Sequence, residues 1–390
     1  MVKAVCMLLA ACAAFARFSA DAGARSDYIF SESAKDATFS RVYGTVQYQS
    51  DLEQIALNVS ARGYYGLEHP EYKDGWFDEV TLSTDIGDGS FLIGKHQVNW
   101  GESDYFRVVN VINPIDLRDY YLSYIEDYKS AVKSLWMLQG QYFADTWSAT
   151  LIAVPDFEPL GLPKAQSGFS NDVIDAIQSL ASETPDDFSI ESTGAALRLS
   201  TTIGDNDVAA YLYYGWNPEM IVMSPRYKKA FRRKMVGASI TRSVDTFVLR
   251  AETAYYPDET LQLETFGETK SDVLKTLIAT DWSRGNAMAS LQLVNTCICA
   301  SYTSETAVDQ NVYEGSLYAE ISTDNNNITF SDLTLHNFNT GVGMNELKVK
   351  YRLTDVLNVF AGADLFWGDK GVLAGYEKQN RAFVNLKYFF

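Results

Sequence analysis

The chain has 390 residues, of which 50 are Asp or Glu and 32 Lys or Arg, giving a formal net charge of -18. That balance excludes nucleic acid and anionic lipid as partners gripped by a basic surface. Four cysteines, with Cys6 and Cys12 in the N-terminal run and Cys297 and Cys299 two apart, exclude a disulfide-stapled domain and a zinc site of usual spacing.

Lys3, an apolar and small-residue run from Ala4 to Ala16, and the triplet Ala22-Gly23-Ala24 have the layout of a secretory signal peptide. The reading is a leader over residues 1–24 and a single domain over 25–390. No later window holds the roughly 20 consecutive apolar residues of a transmembrane helix. Instead, 24 Tyr, 21 Phe and 7 Trp are spread through the chain in short pieces. An exported chain of that composition fits a barrel whose aromatic residues ring the two membrane interfaces.

Strict alternation over about ten residues marks a membrane β-strand. Residues 54–65 set Ile55, Leu57, Val59 and Ala61 against Gln54, Asn58, Ser60 and Arg62. The test succeeds again at 193–201, with Leu197 and Leu199 against Arg198 and Ser200, and at 246–255, with Phe247 and Leu249 against Arg250 and Glu252. It is clearest at 346–353, where Leu347, Val349, Tyr351 and Leu353 oppose Glu346, Lys348, Lys350 and Arg352. The chain ends on Ala382, Val384, Leu386, Tyr388 and Phe390 against Asn385 and Lys387. A terminal amphipathic strand closing on Phe resembles the signal read by the barrel-assembly machinery of the outer membrane.

Tight Gly, Asn and Asp turns at 85–89, 204–207, 284–286 and 324–327 alternate with longer connections near 101–131, 155–191, 217–231, 258–272 and 299–310. Short turns on one side and long loops on the other is the layout of an up-and-down antiparallel transmembrane barrel with extracellular loops. The expected fold is all-β with about 16 strands. Eighteen follow if a poor strand near 27–33 joins the extra candidate at 41–49. Within the 155–191 connection, Val173, Ile174, Ile177 and Leu180 form the stripe of a short helix capping the rim.

The segment Gly94 to Asp116 departs from strand patterning. Lys95, Gln97 and Asn99 alternate as lumen-facing residues, and the chain then breaks at Trp100-Gly101-Glu102-Ser103. Tyr105, Phe106, Val108, Val109, Val111 and Ile112 make the following stretch too apolar for water. The expectation is a 100–131 loop folded into the barrel mouth. Glu102, Ser103, Asn110, Asn113 and Asp116 would satisfy its backbone, and Pro114 would fix the chain at Asn113-Pro114. Such an insert is a constriction or a brace, and the two roles are compatible.

Gly94-Lys95, Trp100-Gly101-Glu102-Ser103, Asn110 and Asn113-Pro114-Ile115-Asp116 resemble the signature of a domain-of-unknown-function family of bacterial outer-membrane proteins. Its members typically read G-R-Q-x-V-x-W-G-E-S and then I-N-x-I-N-P-x-D. Here Lys95 stands where Arg is usual, His96 where Gln is, and Val109 where Ile is. The resemblance implies a porin-like barrel, in some cases encoded beside exporters of hydrophobic compounds.

Arg62, Arg198, Arg250, Lys348, Lys350, Arg352 and Lys387 fall on the expected lumen face. They would favour anions unless neighbours such as Glu252, Glu314 and Glu346 neutralise them. His69, His96 and His336 sit in no catalytic motif, so no catalytic residue, metal or cofactor is expected. The expected function is an outer-membrane channel for small solutes, narrowed by the 94–116 motif, with the bilayer, the assembly machinery and the solute as partners. The alternatives are an adhesin-like or structural barrel without an open pore, and an outer-membrane component handling hydrophobic compounds with an exporter.

Overall fold

The computed structural model describes residues 16–30, 38–52, 54–118, 131–164, 170, 172–323, 325–368, 370, 376 and 379–390. In chain order the strands are β1 (Ala16–Ile29), β2 (Thr38–Leu52), β3 (Ile55–Gly66), β4 (Lys73–Ile86), β5 (Gly89–His96), β6 (Leu135–Phe143) and β7 (Trp147–Val154). After a short helix, α1 (Asp172–Ser179), come β8 (Ala181–Glu183), β9 (Gly194–Ile203), β10 (Asn206–Trp216), β11 (Ile221–Ser224), β12 (Tyr227–Lys229), β13 (Arg232–Val244) and β14 (Phe247–Gln262). The series ends with β15 (Glu268–Arg284), β16 (Ala287–Ile298), β17 (Asn311–Ser322), β18 (Ile328–Asn337), β19 (Gly343–Arg352), β20 (Leu357–Trp367) and β21 (Arg381–Phe389).

Eighteen of these form one antiparallel sheet in which each strand pairs with its sequence neighbours, and β1 pairs with both β2 and β21. The sheet is therefore a closed up-and-down barrel, which leaves no edge. β8, β11 and β12 make a separate three-stranded sheet within the loops. The short turns after β2, β4, β6, β9, β13, β15, β17 and β19 share one end with Phe390, and the long connections share the other.

Eighteen is the higher of the two counts open from the sequence. The additional strand comes from residues 16–29 and not from 27–33, of which 31–33 lie outside the described residues. β1 thus takes in Ala16–Ala24, the second part of the expected leader, while 1–15 lie outside the described residues.

The alternation seen in the sequence is a partition between two surroundings. In β19, Leu347, Val349 and Tyr351 are exposed on the outer face, whereas Glu346 is buried inside. Tyr388 and Phe390, with Phe143, Trp147 and Phe247, form an outward aromatic set at the short-turn end. Trp136, Tyr214, Tyr255 and Tyr313 form another at the loop end. Helix α1 caps the rim by burying Ile174 in a cluster with Tyr72, Phe366 and Tyr376, although Val173 faces outward.

Candidate functional site

β5 ends in a conformation that only glycine accepts. Gly94 has φ +144°, and a Cβ there would lie 2.0 Å from the Val80 carbonyl oxygen. The register pairs Lys95 with Val80 and with the outward Trp136, so Lys95 shares the outer face with Phe91 and Ile93. This corrects the lumen assignment of Lys95: the inward position belongs to His96, which is buried with Nε2 3.3 Å from Gln139 Oε1. Alternation stops at His96 because the strand stops there. From Gln97 on, the chain turns into the lumen and both parities lie inside.

Within the insert, short polar side chains take the place of a strand ladder. Asn110 Oδ1 accepts from the backbone N–H groups of Trp100 and Gly101, and its Nδ2 donates to Asn99 Oδ1 at 2.8 Å. Asn113 Oδ1 accepts from Val98 N at 2.8 Å, and its Nδ2 donates to the carbonyls of His96 and Lys133. Gln97 donates to Asp78 and to the Val132 carbonyl. Trp100 Nε1 donates to the Val109 carbonyl at 3.0 Å. The Pro114 carbonyl accepts from Lys133 N, returning the chain toward β6. Asp116 pairs with Arg118 at 2.8 Å. Burial pushes the Asp116 carboxyl up, but the Arg118 guanidinium and N–H outweigh it and hold it below the usual carboxylate range. Residues 119–130, the rest of the expected 100–131 loop, lie outside the described residues.

The insert crosses the barrel and is fastened to the far wall. Glu252 on β14 accepts from the N–H groups of Glu102 and Val109. Arg250 donates to Asp104 at 2.8 Å and to Asp281 at 2.6 Å, and Gln292 on β16 donates to Asp104 and accepts from Ser103 Oγ. Glu102 Oε2 accepts from Thr241 on β13. Tyr211 donates to the Trp100 carbonyl and Tyr256 to that of Val108. The apolar side of the insert, Val108, Val109, Val111 and Ile112, is buried in one cluster with Met137, Ile152, Met235 and Leu277. Tyr105 packs against the second cluster, which includes Leu333 and Met344.

The lumen charges are largely matched locally. Arg62 pairs with Asp78 at 3.1 Å, Lys348 with Glu346 at 2.7 Å and Lys387 with Asp21 at 3.2 Å. Arg352 folds onto the turn after β17, donating to Asn325 O and Asn327 Oδ1. Lys350 is exposed on the same inward series as Lys348. Arg198 stands with its guanidinium 5.9 Å from the Tyr211 ring centroid. Of the neutralising partners expected from sequence, Glu346 serves as one, while Glu252 is spent on the insert and Glu314 accepts from Asn337. Fully buried Arg25, paired with Asp27 and Asp364, escaped the sequence reading because it adjoins the small-residue run assigned to the leader. Gln292 and Tyr211 also escaped it, since their role depends on a contact more than a hundred residues away.

Three spaces remain beside and beneath the insert. A cavity of about 400 Å³ is bordered by Arg25, Arg41, Arg62, Asp78, Asp116 and Lys348. A second, of about 340 Å³, is bordered by His96, Gln97, Asn99, Trp100, Gln139 and Arg198. Trp100, Gln97 and Asn99 thus face the second space, while Asp116 faces the first. Glu102 borders a third, which includes Arg198, Ser239 and Thr241. Among the described residues no group of three or more His, Cys, Asp or Glu could hold a metal ion.

A family model described as a protein of unknown function, DUF1302, matches residues 80–346, a span holding the whole insert. No curated protein matches the sequence. Among solved structures, the crystal structure of OccAB3 from Acinetobacter baumannii superposes with a TM-score of 0.55 at 10% identity, covering 97% of this chain and 99% of that one. A triple mutant of the Rhodopseudomonas blastica porin gives 0.46 at 11% identity, covering 96% and 100%. The likeness to OccAB3 is one of fold.

Proposed function

The chain belongs to the DUF1302 family of proteins of unknown function, and from that premise we propose that it is a porin-like channel of the outer membrane, passing small solutes through a lumen narrowed by residues 97–118. The observation that carries this reading is the pair of polar cavities left inside a closed barrel, one beside the insert and one beneath it. A barrel serving only as a scaffold could fill that volume with apolar side chains. Here apolar packing gathers in two clusters against the insert, and charged and amide groups line the spaces between. The outward apolar face and the two aromatic sets fit a bilayer, and the terminal Phe390 fits delivery by the assembly machinery.

The insert sets the aperture. Removing the Asn113 amide orphans the half-buried Val98 N–H and frees two carbonyls, at about 1 kcal/mol, the low end for an orphaned donor. Single-channel recording in planar bilayers is expected to give discrete steps for the wild type, and larger or noisier steps for Asn113→Ala and Trp100→Ala. Steps seen only in the variants would make the insert a plug. Silence throughout, with folding verified, would favour an adhesin-like or structural barrel.

A further inference from the structure

We propose that the cavity beneath the insert is a binding subsite for a neutral, polyhydroxylated solute of about monosaccharide size. The inference rests on the channel reading and names a substrate class for it. At about 340 Å³ the space is near the lower end of ligand pockets, roughly 300–1,000 Å³.

Its chemistry is that of side-chain amides. Asn58, Gln97, Asn99, Gln139 and Gln141 all border it, brought together from β3, β6 and the start of the insert. Each amide offers both donors and an acceptor, which suits a hydroxyl that also donates and accepts. They are held in place by partners behind them. Gln47 donates to Asn58, which donates to Glu79 at 2.7 Å; His96 holds Gln139; Ser90 and Thr150 hold Gln141. Leu92, Val98 and Trp100 supply an apolar patch of the kind a sugar ring's C–H face needs.

Charge argues against an ion as the bound species. One carboxylate, Glu79, and one guanidinium, Arg198, border the cavity, so neither sign is favoured. Beside the insert, most bordering charges already have partners, through Arg62–Asp78, Lys387–Asp21, Lys348–Glu346, Arg25–Asp364 and Asp116–Arg118. Burying an ion here would cost its hydration without a counter-charge to replace it. The two cavities follow one another along the barrel. Asn58 and Arg62 lie on the same inward face of β3, four residues and so roughly 13 Å apart. Gln97 joins them through its bond to Asp78, the partner of Arg62.

The test uses the refolded full chain in planar bilayers, with glucose as probe and gluconate as its anionic analogue, beside Gln139→Leu and Gln141→Leu singly and together. Glucose is expected to reduce the ion current saturably and gluconate not. The double variant is expected to weaken half-saturation by about tenfold or more, the effect of losing one or two net hydrogen bonds. Heat-modifiable mobility on gels reports whether each variant has folded. A conducting wild type whose current falls with glucose only as bulk conductivity does would overturn the subsite and leave the channel standing. Saturation by gluconate would overturn the neutral class. Absence of any conductance would remove the channel reading, and the subsite with it.

Discussion

At the scale of single residues, the insert is held by groups that each serve more than one neighbour. Glu252 is the clearest. Its two carboxylate oxygens accept from two backbone N–H groups of the insert, so Glu252→Leu orphans both. At about 1–3 kcal/mol for the buried Val109 donor and less for the half-buried Glu102 donor, the expected loss is about 2–4 kcal/mol of stability, read as a lower urea midpoint for the folded, heat-modifiable form. Asp116 gives a pH signature. Its carboxyl titrates below the usual range in the folded chain, so its pairing contributes fully at neutral pH and is lost as pH falls through that lowered value. Channel noise is therefore expected to rise below about pH 4, near or under the ordinary Asp value, and Asp116→Asn should show that noise already at neutral pH. An unchanged record on acidification would assign the hold on this part of the insert elsewhere. Trp100, Asn110 and Asn113 were visible in the sequence as a polar and aromatic cluster of unusual spacing. Lys95 was misplaced because parity was extended past the residue where the strand ends.

At the scale of elements, the strands that alternate large apolar with polar residues could be read directly, and those that do not were weak. β1 is the instructive one. Its outward series runs Phe18, Ala20, Ala22, Ala24, mostly small, and the same small residues make an attractive peptidase site. Its partners tell against a cut there. β1 pairs along Ala16–Tyr28 with β2 and along Asp21–Ile29 with β21, and the Ala20 carbonyl accepts from Phe390 N. Cleavage after Ala24 would strip β21 of half its partner and Lys387 of Asp21. Processing is therefore expected upstream, after the small-x-small triplet Ala14-Phe15-Ala16, leaving Arg17 first. Intact-mass measurement of protein extracted from membranes checks this, and a chain beginning at Arg25 would refute it.

At the scale of the whole molecule, the closed ring, the even strand number and the sorting of turns from loops follow from local patterning summed over the chain. Closure itself joins residues that no local window contains. The buried Arg25 guanidinium on β1 reaches Asp364 on β20, 339 positions away, and lies 3.9 Å from the centroid of the Phe383 ring on the strand between. The first strand must therefore wait for the last to be synthesised. When they meet, a slipped register would part Arg25 from Asp364 and leave it Asp27, on its own strand, as a partner. The seam so acts as a checkpoint on assembly: a mispaired ring is the one that reopens, and the correct ring is the one that stays shut.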